Sequence, residues 1–103
     1  MMIQTGVLKL DAKDASEGKP DDFSTFTQVT FPTPFPPDSK VVVVPMVQSF
    51  HGPDTPGLRI GKVNERGFMI RMNELAGWAG GKRVFYSDGK HVEERVGWIA
   101  FTV

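Results

Sequence analysis

Apolar and polar residues alternate with a period of two along much of this chain, which predicts strands rather than helices. The clearest instance runs from Leu58 to Asn73. Leu58, Ile60 and Lys62 fall on one face of a first strand, and Phe68, Ile70 and Met72 on one face of a second. The two faces coincide if Glu65-Arg66-Gly67 is a three-residue loop with Gly67 in the left-handed conformation that closes such hairpins. That register sets Asn64 opposite Phe68, Ile60 opposite Met72, Arg59 opposite Asn73 and Arg71 opposite Gly61. The other face is then a polar surface in outline, with a guanidinium fork beside an amide and a spot that glycine leaves bare. Arg59 and Arg71 are either solvated strand charges or forked donors to a ligand's oxygens, a task that guanidinium suits better than ammonium.

The same period marks other strands. Ile3 to Leu10 alternates weakly around Gly6, with Leu8 and Leu10 sharing a face. Asp11 to Asp22 is a polar loop, either a place where binding residues gather or a connector. Thr25 to Phe31 forms a second strand with Thr27, Val29 and Phe31 on one face. The repeated prolines of 32–39 fix φ and remove ladder donors, so a structural turn is favoured over a proline-rich ligand, with Phe35 plugging the end of the core. Lys40 to Phe50 contains Val41-Val42-Val43-Val44, apolar on both faces. This predicts a central strand buried between two sheets or against another subunit, with Pro45 marking a bulge or an unpaired stretch.

After the hairpin, Glu74 to Lys90 is glycine-rich. Arg83 to Ser87 reads as a short strand and Ser87-Asp88-Gly89-Lys90 as a turn. Trp78, in Gly77-Trp78-Ala79-Gly80-Gly81, is either a plug at the core edge or an exposed stacking platform. The last strand, Glu94 to Val103, places Val96, Trp98 and Ala100 on one side and Gly97, Ile99, Phe101 and Val103 on the other.

No segment carries helical periodicity with caps. About six strands separated by turns predict an all-β fold, a single antiparallel β-sandwich domain over residues 1–103. In a small sandwich one face of each strand meets the core, so the two doubly apolar strands predict burial between subunits. A chain of 103 residues has room for one modest core and not for a deep multi-lobed cleft. Lys+Arg and Asp+Glu balance at 12 each, which removes the field that would attract nucleic acid or an anionic membrane. With no cysteine there is no disulfide, thiol nucleophile or Cys-based zinc site, and stability rests on packing or association. The N-terminus lacks the basic start and apolar run of a signal peptide, and no stretch reaches the length of a membrane span, so the compartment is left open, with an extracellular or virion-surface place among the options and no export route visible in the sequence.

Catalysis is not expected. His51 and His91 have no metal-ligand spacing. Glu93 and Glu94 are adjacent on a strand and face opposite ways, so they do not form the acid and base pair of a glycosidase. Asp54, Asp88 and the aspartates of the first loop lack EF-hand spacing, and Gly77 to Lys82 lacks the Gly-Lys-Ser/Thr ending of a phosphate loop. No metal and no cofactor are expected.

In order along nearly the whole chain come a glycine-bearing strand Ile3-Gln4-Thr5-Gly6, the strand Val29-Thr30-Phe31 with its turn Phe35-Pro36-Pro37, and the valine strand. Leu58-Arg59-Ile60, Arg66-Gly67-Phe68 and Gly97-Trp98-Ile99-Ala100 follow. In this order and spacing the chain resembles the H-type lectin domain of snail agglutinins and of the discoidin C-terminal domain. The resemblance implies a six-stranded sandwich assembled as a homotrimer, binding galactose-type or N-acetylgalactosamine-type sugars of cell-surface glycans or glycoproteins in clefts between subunits. The family's sugar-binding arginine matches Arg59. Its acidic residue from the N-terminal loop matches Asp21 or Asp22. Its aromatic-histidine pair falls near Leu75 and Ala76, which do not do that work, and the chain has extra residues between Asn73 and Trp98, from which Trp78 or Tyr86 would supply the stacking surface or cover the site. The candidate carbohydrate-binding set is therefore Arg59, Asn73, Trp78 and Asp21 or Asp22, with hydroxyls held by forked donors and carboxylates and the sugar's apolar face on an aromatic. Several weak sites presented together would raise the affinity. The alternative is a non-catalytic structural or receptor-binding module of a viral or bacterial fibre or appendage, favoured by the missing aromatic-histidine pair.

Overall fold

The computed structural model describes residues 2–11, 16–17, 21–50, 57–73, 75–79, 82–86 and 93–103, with the side chains of 16–17, 73, 75–79 and 82–86 outside the description. Nine strands and no helix are found among them. They are β1 (Ile3–Asp11), β2 (Ser16–Glu17), β3 (Thr27–Thr30), β4 (Val41–Val47), β5 (Gly57–Gly61), β6 (Gly67–Asn73), β7 (Leu75–Ala79), β8 (Lys82–Tyr86) and β9 (Glu93–Thr102). Every pairing is antiparallel, in sheets of order β1-β9-β4, β3-β6-β5 and β2-β8-β7. The segment of Trp78 is strand β7, and β2 is a short strand within the stretch 11–22 expected to be a polar loop.

One core joins the first two sheets. Val96, Trp98 and Ala100 of β9, Leu10 of β1 and Val43 of β4 meet Phe68, Ile70 and Met72 of β6 and the loop residues Phe31 and Phe35. Alternation puts these side chains on the inner faces of their strands. The Trp98 ring centre lies 5.6 Å from that of Phe31 and 5.5 Å from that of Phe68. The indole fits because β1 has a glycine beside it: a Cβ on Gly6 would come within 2.5 Å of the Trp98 ring. Phe35 plugs the core as its position between prolines predicts, set edge-on to Phe31 at 5.1 Å. The proline turn is fixed from two sides. Gln4 donates to the Thr33 carbonyl and accepts from the Thr33 N–H, at 2.6 and 3.0 Å, and the N–H groups of Phe31 and Phe35 donate to the Arg66 and Glu65 carbonyls.

The valine strand differs from expectation. β4 is an edge strand, paired with β9 in unbroken register through Pro45 opposite Trp98, so there is no bulge, and its outer face is not covered by a second sheet of the chain. An edge is the place in a sheet where a proline's missing donor is tolerated. The central strand is β9, and the outward residues of β4 are exposed.

The hairpin register also differs. β5 and β6 pair with Leu58 opposite Met72, Arg59 opposite Arg71, Ile60 opposite Ile70 and Gly61 opposite Met69. The shift is two residues, which keeps every side chain on its face while changing its cross-strand partner. The connection is longer than three residues and turns at Lys62, whose φ of 48° is left-handed. Lys62 therefore leaves the strand, and Gly67 is not left-handed. Gly67 is required for a different reason: a Cβ there would meet the Val29 carbonyl oxygen at 2.0 Å. Asn64 closes the turn, its Oδ1 accepting from the N–H groups of Arg66 and Gly67 at 2.8 and 3.1 Å.

Candidate functional site

The outer face of the β5-β6 hairpin carries the predicted arginines, which have different fates. Arg59 is exposed. Arg71, expected beside Gly61 on an open surface, lies opposite Arg59 and is only 8% exposed, with its guanidinium donating to Thr25 Oγ1. Asn73 sits two residues further along β6, opposite Gly57 and diagonal to Arg59. The direct amide partner expected for Arg59 is thus replaced by a second guanidinium.

The bare spot at Gly61 is filled from within the chain. A Cβ on Gly61 would lie 2.2 Å from the Phe23 ring, so the ring rests on the face toward which Arg59 also points, two residues away. Phe23 stacks edge-on with Phe26 at 4.8 Å, and the Lys62 ammonium stands 5.1 Å from the Phe23 ring centre, a cation held over an aromatic face. The left-handed turn at Lys62 sits at the end of β5 beside this ring. Sequence periodicity does not find Phe23, because it lies outside any strand; the signal was the bare glycine itself.

This contact fastens the acidic end of the first loop to the strand that bears Arg59. Asp21 is exposed with a left-handed φ of 58°. Asp22 is exposed and its Oδ1 accepts from the backbone N–H and the hydroxyl of Ser24, at 3.1 and 2.7 Å. That turn sets Phe23 between the carboxylate and the serine, as aspartates do in such local turns. Trp78 is in β7, opposite Arg83. The side chains of Asn73, Trp78 and Tyr86 lie outside the described residues, as do His51, Asp54, Asp88 and His91. Glu93 is exposed and Glu94 buried, so the two carboxylates face opposite ways. Among the described residues no three metal-ligating side chains cluster, and no helix is long and apolar enough to cross a membrane.

A second surface is apolar. The outward positions of the β1-β9-β4 sheet align Ile3, Phe101 and Val42 in one row, Thr5, Ile99 and Val44 in the next, and Val7, Gly97 and Met46 in a third. Met46 is 65% exposed, Val7 62% and Val44 49%, with Ile3, Val42 and Ile99 also open. These six aliphatic residues lie side by side on one sheet face, and an exposed apolar cluster of this kind marks an interaction surface. The Gln48 amide lies over Gly97, where a Cβ would come within 2.5 Å of it.

A third feature is a cleft of about 310 Å³ between the end of β1 and the β3-β6 ladder, lined by Lys9, Leu10, Asp11, Thr25, Thr27, Ile70, Arg71 and Met72. Comparison with protein-family models, curated proteins and solved structures returns no match to this chain.

Proposed function

We propose that the chain is a non-catalytic carbohydrate-binding module of the H-type lectin kind, in which β1, β3, β4, β5, β6 and β9 form a six-stranded sandwich. In this reading copies associate as a homotrimer through the apolar outer face of β1-β9-β4, and galactose-type or N-acetylgalactosamine-type sugars bind in the clefts between them. The observation that carries the reading is the seat of Phe23 on Gly61, which brings the loop of Asp21 and Asp22 to the strand from which Arg59 is exposed. A guanidinium fork and a carboxylate on neighbouring segments suit the donor and acceptor edges of vicinal sugar hydroxyls. Asn73 and Trp78 complete the proposed set from β6 and β7.

The apolar face supports association, since no charged residue interrupts its three rows. It equally favours a second reading, a structural or receptor-binding module of a fibre or appendage, in which the same face packs against protein and Arg59 is part of a protein contact.

A glycan array probed with the purified wild-type chain, with calcium present and absent, separates the two. Binding to terminal galactose-type sugars is the expected result. A blank array from a folded, associated protein overturns the lectin reading in favour of the second.

A further inference from the structure

We infer that Lys62 is a latch for the proposed sugar site: its ammonium, carried round by a left-handed turn, pins the Phe23 ring on Gly61 and so sets the position of the Asp21-Asp22 segment against strand β5. The consequence for sugar binding rests on the galactose-type reading, whereas the latch rests on contacts within the chain.

The side on which Lys62 stands is the first argument. In an unbroken strand it would share the inner side of β5 with Leu58 and Ile60, both packed against the core. Phe23 lies on the other side, over Gly61. β5 ends at Gly61, and the φ of 48° at Lys62 turns the chain so that the ammonium stands 5.1 Å from the Phe23 ring centre. A cation within about 6 Å of an aromatic face is attracted by the ring's quadrupole.

The backbone gives the second argument. Among the described residues three that are not glycine have a left-handed φ, namely Asp21, Asp38 and Lys62. Two of these, Asp21 and Lys62, flank the contact between Phe23 and Gly61. Aspartate tolerates this conformation by bonding to nearby main chain, whereas a lysine side chain gains nothing locally. Such a conformation persists where its surroundings fix it. Asn64 closes the turn further along by bonds to Arg66 and Gly67, and the Phe23 ring is the contact that the turn at Lys62 creates.

Other restraints on the loop leave the latch a distinct task. Thr25 accepts from the Arg71 guanidinium and β3 begins at Thr27, so the later half of the loop is anchored there. The acidic half precedes these anchors. The bonds from Ser24 to Asp22 shape it locally, and Phe23 joins it to the hairpin.

The test reads ring contact and sugar affinity separately in wild type, Lys62→Gly, Lys62→Gln and Lys62→Arg. Proton NMR without sugar reports the contact, through the nuclear Overhauser effect between the Phe23 ring and the Gly61 Hα protons and through the ring-current shift of those protons. Lys62→Gly adopts the left-handed φ freely and removes the cation, so the thermal midpoint is expected to hold or rise while the ring contact weakens. Lys62→Gln loses the cation and weakens the contact as well; Lys62→Arg keeps both. Affinity for methyl N-acetylgalactosaminide is expected to fall at least about threefold in the first two variants and to be restored in the third. Affinity that falls while stability holds distinguishes a positioning role from a merely structural one. An unchanged ring contact in Lys62→Gly and Lys62→Gln overturns the latch, and a lost contact with unchanged affinity overturns its role at the site. A wild type that binds no galactosaminide fails the galactose-type reading alone, and the ring contact, read without sugar, still decides the latch.

Discussion

The Phe23 ring rests on Gly61 so closely that a single methyl there would approach it to 2.2 Å, and this contact joins the Arg71–Thr25 hydrogen bond and the start of the β3-β6 ladder in holding the 21–26 loop on the hairpin. Gly61 and Gly67 bracket the same turn but are constrained by different neighbours. At Gly61 the obstacle is the far end of a side chain that swings aside; at Gly67 it is the Val29 carbonyl oxygen, fixed in the β3-β6 ladder. Gly61→Ala is therefore expected to cost about 1 kcal/mol, and Gly67→Ala about 3 kcal/mol or more. Urea unfolding of both variants checks the order, and an equal cost would contradict these contacts.

Arg59 is exposed on β5, so its removal leaves the core intact. Arg59→Ala is expected to abolish binding of galactose-type sugars while changing stability by less than about 0.5 kcal/mol. Sugar binding, oligomer mass and thermal unfolding measured on the same variant check this. Retained binding would remove Arg59 from the site.

The wild-type chain is expected to give a light-scattering mass near three times its 11.4 kDa. Val44 and Met46 stand in adjacent rows of the apolar face, and glutamates there would place charges where the interface must be dry. Val44→Glu combined with Met46→Glu should yield a folded monomer. A wild-type monomer at micromolar concentration, or a double variant that still associates, would exclude this face as the subunit contact.

Gln4 holds the proline turn by one donated and one accepted hydrogen bond to Thr33. Gln4→Ala leaves both main-chain groups of Thr33 without that partner, at an expected cost of about 1–3 kcal/mol. Gln4→Glu keeps the acceptor and loses the donor to the Thr33 carbonyl, and should cost a similar amount at neutral pH. Thermal unfolding of the pair decides whether the clamp matters; unchanged midpoints would show that the prolines hold the turn alone.

The inner faces of the strands were legible in the sequence. Phe68, Ile70 and Met72 fall on the alternating face assigned to the core, Val96, Trp98 and Ala100 share one side of the last strand as alternation groups them, and Phe35 fills the core from a turn rich in proline. The excess of apolar residues in the valine strand and the last strand was also legible, and it emerges as the open face of β1-β9-β4. The hairpin surface was legible only in part: Arg59 points outward as alternation requires, whereas Arg71 is drawn in by Thr25, a residue 46 positions away in sequence.

Local alternation by itself determined which residues share a side of each strand, and for the hairpin which side meets the core, because successive residues take opposite faces whatever the strand pairs with; for the two strands apolar on both faces, the tertiary structure chose the side. Strand order and hairpin register were decided by the tertiary structure alone. A two-residue slip leaves every face unchanged, so nothing in the alternation distinguishes Arg59 opposite Asn73 from Arg59 opposite Arg71. The choice falls to distant contacts: the Gly67 backbone against Val29, Phe23 on Gly61, and the placing of β9 rather than β4 at the centre of its sheet. These energies depend on residues brought together only by the completed fold.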